Sequence, residues 1–339
     1  VLPLIAASLL CTKPVRLRGV PRLSDVEACL ALVRSTGEKA GWQGSDVCVS
    51  GTPFCSTLPG QTAEQMRASI LFCAPLLARL GRAETSLPGG CKIGARPVDL
   101  HLAGLAKMGA QEHPAGPGRL LLTAPSGLHG AEITLSFPSV GATETLLLAA
   151  ACAKGQTVLR GAAREPEIGD LAAFLNRCGG CVEGAGTSTI RIEGRRTLGG
   201  CVFSPLPDRI FASTLACACA AAGGRVELAG CPASLYAPVL EILAQMGCAV
   251  DTDGDTVRLA RFGRLYGAGR VFTGVYPGLA TDAAPLLAAA MLCAGGESSI
   301  EEVIFERRFA CAEGFLRLGG RVFVAGRVLH IAPGGVLQG

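Results

Sequence analysis

A period of about seventy residues constrains this chain more than any other feature. The pattern Leu-x-Gly falls at 17–19, 87–89, 159–161 and 228–230, at intervals of 70, 72 and 69 residues. A second marker runs beside it. A glycine that closes an amphipathic segment recurs at Gly37, Gly109, Gly179, Gly247 and Gly319, at intervals of 72, 70, 68 and 72. Self-similarity at a fixed period means that each period is one supersecondary unit unable to bury its own apolar face, so neighbouring units must share a core.

Every period reads the same way. An apolar helix rich in small residues leads into a short strand ending at Leu-x-Gly, and a second helix of 3.6-residue periodicity, a helix-stopping glycine and one or two strands follow. Residues 170–178 show the second helix, with Leu171, Phe174 and Leu175 on one face and Gly179 as its stop. Segments 189–193 and 256–259 alternate apolar and polar residues, as half-buried strands do. The spacing therefore predicts an α/β chain of repeated βαβαββ units. First helices are expected at 2–10, 63–79, 142–153, 210–222 and 281–293, which makes five. Grouped in threes, they predict a first domain over 1–206 with three units and a second over 207–339 with two of three. The chain opens on Val1 inside a first helix and stops at Gly339 soon after the strands of the fifth unit, so both ends read as cut.

Composition excludes several classes of function. With 49% hydrophobic and 17% charged residues the chain can build a sizeable core and is not disordered. A net charge of +4 from 31 scattered basic residues, with no aromatic stacking platforms, gives no reason to expect nucleic acid. Apolar runs such as 283–294 fall short of the roughly 18 residues that span a bilayer, so no membrane partner is expected. Residues 1–10 lack the basic start of a secretory signal. Sixteen cysteines without an export signal point to free thiols in a reducing compartment, the cytoplasm. Cys11, Cys73, Cys152, Cys217, Cys219 and Cys293 lie in helical runs and read as packing residues. Cys178-Gly179-Gly180-Cys181 is a lone C-x-x-C that reads as a turn, and no metal or cofactor is expected.

Cys91 stands apart from the other cysteines. Pro88, Gly89, Gly90 and Gly94 make its surroundings a loop, and Pro97 suits the first turn of a following helix. Lys92, Arg96 and a helix N-terminus supply the positive potential that makes a thiol reactive. On these residues alone a reactive thiol and a packing thiol both stay open.

Residues 87–100 as a whole resemble, almost letter for letter, the signature loop of the UDP-N-acetylglucosamine 1-carboxyvinyltransferases, a family of enolpyruvyl transferases. Further matches run in family order: Gln65-Met66-Arg67-Ala68-Ser69-Ile70, Phe137-Pro138-Ser139-Val140-Gly141-Ala142-Thr143, Ala162-Ala163-Arg164-Glu165-Pro166-Glu167-Ile168, Leu206-Pro207-Asp208-Arg209-Ile210, Tyr276-Pro277-Gly278 with Thr281-Asp282, and Phe305-Glu306-Arg307-Arg308-Phe309. The resemblance implies an inside-out α/β barrel fold, two domains of three βαβαββ units with substrates in the cleft between them. The second domain is incomplete here, because the family builds its sixth unit from the C-terminal end. The shikimate-pathway enolpyruvyl transferase shares this fold but lacks the cysteine loop.

The activity implied is transfer of the enolpyruvyl group from phosphoenolpyruvate to the 3-hydroxyl of UDP-N-acetylglucosamine with release of phosphate, the first committed step of peptidoglycan precursor synthesis. By resemblance Cys91 is the acid for the vinyl carbon, the thiol that forms a covalent adduct with phosphoenolpyruvate and that fosfomycin alkylates. Asp282 corresponds to the base at the sugar hydroxyl; by itself it would read as a helix cap. Arg96 and Arg67 correspond to basic substrate contacts, although Arg67, placed mid-helix, reads equally as an ion-pair partner. Pro97, Val98, Asp99 and Leu100 correspond to the segment that cradles uracil and ribose. Phe137, Pro138, Ser139 and Val140 correspond to a nucleotide-contacting turn, and Ile304 to a backbone contact with a core side chain. Two departures stand out: Leu279-Ala280-Thr281-Asp282-Ala283-Ala284 replaces the family's Phe-Pro-Thr-Asp-Met/Leu-Gln, and Phe211 replaces an acidic residue. The family's lysine and asparagine upstream and its C-terminal arginines have no counterpart in this sequence, so the expectation is a fragment of impaired activity. The alternative is a divergent, non-catalytic UDP-sugar-binding paralogue.

Overall fold

The computed structural model describes residues 1–89, 93–94 and 97–338. They form two compact units, one from residues 1–206 and one from residues 207–339, with Ile93 and Gly94 grouped with the second.

In the first unit three repeats follow one another. The first comprises α1 (Leu2–Ser8), β1 (Val15–Leu17), α2 (Ser24–Ser35), β2 (Lys39–Gln43) and β3 (Asp46–Ser50). The second comprises α3 (Gly60–Ala63), a 3-10 stretch (Arg67–Phe72), α4 (Cys73–Leu80), β4 (Arg82–Ser86), α5 (Asp99–Lys107), β5 (Gln111–His113) and β6 (Arg119–Thr123). After β7 (Glu132–Thr134) the third comprises α6 (Val140–Ala151), β8 (Gln156–Arg160), α7 (Pro166–Arg177), β9 (Val182–Glu183) and β10 (Thr189–Glu193), and the short β11 (Val202–Phe203) ends the unit. Each repeat owns a small sheet, in the orders β11-β1-β3-β2, β4-β6-β5 and β7-β8-β10-β9. The leading strand always pairs antiparallel with the last strand of its repeat. Its other edge takes a parallel neighbour: β11 beside β1, β7 beside β8, and a bridge from Thr57 to Glu84 of β4.

Helices fill the middle of this unit. Every residue of α6 from Ala142 to Ala151 is buried, and α4 packs directly against it. From Leu146 to Ala151 the helix is apolar on all sides and must be enclosed on all sides, and one continuous hydrophobic core joins α1, α4 and α6 to the inner faces of the sheets. This is the inside-out arrangement, with helices within and sheets around them.

The second unit repeats the plan with a separate core. It contains α8 (Arg209–Ala222), β12 (Gly224–Leu228), α9 (Ala237–Gln245), β13 (Ala249–Asp253) and β14 (Thr256–Arg261). Then come β15 (Gly269–Phe272), a 3-10 turn (Thr281–Ala283), α10 (Ala284–Met291), β16 (Ser298–Glu301), a second 3-10 turn (Arg308–Cys311), α11 (Ala312–Arg317), β17 (Arg321–Ala325) and β18 (Val328–Ala332). Its sheets are ordered β12-β14-β13 and β15-β16-β18-β17, and α8 lies against α10. Among the described residues no helix is long and apolar enough to cross a membrane.

The glycine markers are structural. All five helix-stopping glycines, from Gly37 to Gly319, have positive φ, the conformation that ends a helix without a Cβ penalty. Three expectations need correction. The helix expected over 63–79 is broken, because Met66 is extended and Pro75 supplies no N–H to residue 71 and crowds its carbonyl, so α4 begins only at Cys73. Pro285 acts alike at the start of α10, which begins at Ala284 behind a 3-10 turn, and the helix ends at Met291. Cys293, beyond that helix end, is exposed and not a packing residue, whereas Cys152 and Cys219, though only partly buried, pack against the cores of their units as expected.

Two Leu-x-Gly glycines separate backbone strain from crowding. Gly19 has φ +62° with open space where a Cβ would sit, whereas Gly161 has φ +68° and a Cβ there would lie 2.5 Å from the Leu135 carbonyl oxygen. Gly19→Ala should cost about 1 kcal/mol, and Gly161→Ala about 2 kcal/mol more, in urea unfolding. Equal costs would contradict the crowding at Gly161.

Candidate active site

Cys91 and Arg96 lie outside the described residues, so the geometry begins on either side of them. Leu87 N–H donates to the Gly118 carbonyl at 2.8 Å, which ties the start of the loop to the turn before β6. Within the second unit, Ile93 O accepts the N–H of Arg307 at 2.9 Å, and a side chain at Gly94 would overlap the Glu306 carboxylate. The motif at 305–309 thus touches the described centre of the loop.

The segment 97–100 forms the entry to α5. Val98 is the N-cap residue and Asp99 lies in the first turn, where a carboxylate complements the helix dipole. Arg67 is the first residue of the 3-10 stretch and does not lie mid-helix; its guanidinium donates to the Pro97 carbonyl at 3.1 Å. His101, next along α5, is buried and shares a 2.8 Å hydrogen bond between its Nδ1 and the Thr145 hydroxyl of α6. Burial, and then the positive charge of Arg67, push the His101 pKa down to about 4 against a small opposing effect of Asp99, so the ring is neutral at physiological pH. Glycines bring the two helices close: a Cβ on Gly104 would lie 2.5 Å from a Leu146 methyl, and one on Gly141 would lie 3.1 Å from the His101 ring.

The segment 137–140 is the entry to α6. The Ser139 hydroxyl accepts the Ala142 N–H at 3.3 Å as an N-cap, an interaction worth about 1 kcal/mol. Thr143 donates its hydroxyl to Ser139 O at 2.8 Å and accepts the Ala163 N–H at 3.0 Å, which anchors the 162–168 motif to the same turn. Phe137 is exposed and Pro138, Ser139 and Val140 are half-buried. Glu144, one turn further along, is raised to about 8 by burial, with the charges of Glu167 and Glu165 adding to the rise.

Asp282 lies in the 3-10 turn before α10. It does not cap that helix: Ala283 holds the N-cap position without a side-chain bond. Its Oδ1 pairs instead with Nη2 of Arg308 at 2.8 Å, while Nε of the same guanidinium donates to the Thr281 carbonyl at 2.9 Å. Arg308 is largely buried and Asp282 mostly exposed. Ile304 is half-buried and outside the core cluster, so its side chain is not the core residue expected. In the Leu-Pro-Asp-Arg-Ile motif, Asp208 caps α8 through bonds to Ile210 and Phe211 N–H at 2.9 and 3.0 Å, and Phe211 is exposed.

The structure thus joins Arg67, 97–100 and 137–140 through the His101–Thr145 bond in the first unit, and Asp282 to the 305–309 motif in the second. Arg308, His101 and Thr145 carry no assigned role in the sequence reading. Arg308 was visible within its motif, but two adjacent arginines there could not be told apart without the fold.

The fold and the ordered segments define an enolpyruvyl transferase: the family described as EPSP synthase (3-phosphoshikimate 1-carboxyvinyltransferase) matches residues 1–339. The enolpyruvyl transferase NikO from Streptomyces tendae shares the fold with a TM-score of 0.84 at 24% identity, over 98% of this chain and 79% of that one. Sequence narrows the class. UDP-N-acetylglucosamine 1-carboxyvinyltransferase from Finegoldia magna is 43% identical over 342 residues, covering 100% of this chain and 80% of its own length. The enzyme of the same name from Hyphomonas neptunium is 44% identical over 331 residues, covering 96% and 78%. The chain belongs to the UDP-N-acetylglucosamine 1-carboxyvinyltransferase family.

The depressed His101 pKa has a sign that can be tested. Unfolded, the ring protonates below about 6.5; folded, it resists until about 4, so stability is complete above the first value and falls as pH drops toward the second. The His101 ring resonances should titrate with a midpoint near 4 by NMR. A midpoint at the ordinary histidine value would contradict its burial against Thr145.

Proposed function

We propose that the protein transfers the enolpyruvyl group of phosphoenolpyruvate to the 3-hydroxyl of UDP-N-acetylglucosamine, releasing phosphate at the entry to peptidoglycan synthesis. The observation that carries this reading is family membership over the whole chain, with the cysteine-loop sequence kept at 87–100.

In this mechanism the sugar oxygen attacks C2 of phosphoenolpyruvate as its proton passes to Asp282, and Cys91 protonates the methylene carbon. A tetrahedral adduct results, carrying sugar, phosphate and a methyl group on one carbon. Loss of a methyl proton and departure of phosphate with the C2–O bond restore the double bond, now on the sugar. Cys91 also forms the covalent adduct with phosphoenolpyruvate and is the thiol open to fosfomycin.

The described residues support these roles. Arg308 fixes one oxygen of the Asp282 carboxylate and leaves the other for the hydroxyl proton. Arg67 holds the Pro97 carbonyl, and with Arg96 it supplies guanidinium charge for the substrate anions. Pro97, Val98, Asp99 and Leu100 receive the nucleoside. Phe137, Pro138, Ser139 and Val140, at the N-terminus of a 12-residue helix, suit a diphosphate, and Ile304 contributes a backbone contact. Residues 1–206 act as the cysteine-bearing domain and 207–339 as the aspartate-bearing one. We place the enzyme in the cytoplasm, in keeping with the fifteen described cysteines, all of them free thiols.

In the full-length protein Cys91→Ser should abolish UDP-N-acetylglucosamine-dependent phosphate release and protect the protein from fosfomycin labelling, read by a phosphate assay and intact mass. Unchanged turnover and labelling would refute the role of Cys91. Binding of UDP-N-acetylglucosamine without any turnover by the unmutated protein would favour the non-catalytic paralogue.

A further inference from the structure

We infer that Glu302 is the positioning residue of the aspartate-bearing half of the site, a role that rests on the function proposed above. Glu302 follows β16 and is 1% exposed. Its Oε2 accepts the Thr281 hydroxyl at 2.7 Å, and its Oε1 accepts the Ile304 N–H at 2.8 Å and the Phe305 N–H at 3.0 Å. One carboxylate thereby binds the residue before Asp282 and the start of the 304–308 turn that carries Arg308.

The arrangement closes on itself. Thr281 is held by Glu302 through its hydroxyl and by Arg308 through its carbonyl, and Arg308 in turn holds Asp282. The backbone of Glu302 is pinned by its own N–H, which donates to Arg327 O at 2.9 Å in the turn between β17 and β18. A carboxylate taken out of water is tolerated only when its lone pairs are met by donors, and here three donors from two segments converge on it. Removing its charge or one of its donors frees the Thr281–Asp282 turn to move relative to Arg308. A displacement of even ~1 Å at a reacting group costs up to about a hundredfold in rate.

The role of Glu302 is distinct from mere support of the fold, because through Thr281 and Arg308 it bears on Asp282, the proposed base at the sugar hydroxyl, a step that follows the binding of phosphoenolpyruvate. Glu302→Gln keeps the size of the side chain and loses the charge and one acceptor. It should lower kcat about 10- to 100-fold with KM for phosphoenolpyruvate unchanged and the melting temperature close to that of the unmutated protein. Thr281→Val, which deletes one donor outside the buried carboxylate, should reproduce the loss, and Thr281→Ser, which restores the hydroxyl, should recover it. Combining Glu302→Gln with Thr281→Val should cost little more than either alone, as expected for two members of one network.

Glu302→Gln and Thr281→Val both within about twofold of the unmutated kcat would overturn the inference. So would a loss that Thr281→Ser fails to recover. Absence of UDP-N-acetylglucosamine-dependent phosphate release by the unmutated protein would instead overturn the proposed function, and this inference with it.

Discussion

A helix that is apolar on every face cannot stand at a protein surface, and the rest of this structure follows from that constraint. Residues 146–151 of α6 are apolar on every face and residues 142–151 are all buried, which requires packing partners in every direction around the axis. One βαβαββ repeat can cover only part of such a helix. Successive repeats cover the remainder, each adding a central helix and an outer sheet, and this explains why the period of about seventy residues pervades the chain. The same requirement explains β11: a two-residue strand from the end of the first unit pairs in parallel with β1 at its beginning, closing the succession of sheets.

The residues proposed for function gather at helix entries in both units. The segments 97–100, 137–140 and 281–282 all lie just before or within the first turn of a helix, where N–H groups have no partner in the helix itself. The fold holds these turns with interior bonds. His101 and Thr145 join two helix entries, Ser139 and Thr143 shape one of them, and Arg308 and Glu302 together fix the turn that bears Asp282. Two neutral groups share the buried bond in the first unit, whereas ionisable groups with convergent hydrogen bonds hold the second. That difference fits the tasks proposed for them, since a nucleoside needs shape and a proton acceptor needs an exact direction.

Much of the fold was legible in the sequence because glycine leaves a strong local signal. The recurring Gly37, Gly109, Gly179, Gly247 and Gly319 all take the positive φ that ends a helix, and strands end where Leu-x-Gly begins or falls. Helix continuity was not legible. The run from 63 to 79 keeps apolar residues at helical spacing, but its Pro75 breaks the hydrogen-bond ladder, and Ile70, Leu71, Phe72 and Cys73 are all buried without one helix face being repeated. Site residues divided in the same way. Local chemistry and resemblance singled out the cysteine loop and Asp282, whereas the partners of Asp282 come from 20 and 26 positions further along the chain, at Glu302 through Thr281 and at Arg308. No periodicity links positions that far apart; only the pairing of β16 with its neighbours brings them together.

The central claim is that the enolpyruvyl group moves by addition and elimination, with a proton delivered to the methylene carbon of phosphoenolpyruvate. The most direct measurement is a reaction of the full-length protein with phosphoenolpyruvate and UDP-N-acetylglucosamine in deuterated water, analysed by NMR and mass spectrometry. Deuterium should enter the vinyl methylene of the sugar product, because the methyl group of the tetrahedral adduct carries a solvent-derived hydrogen and can lose any of its three. Product whose methylene carries no deuterium would contradict the account.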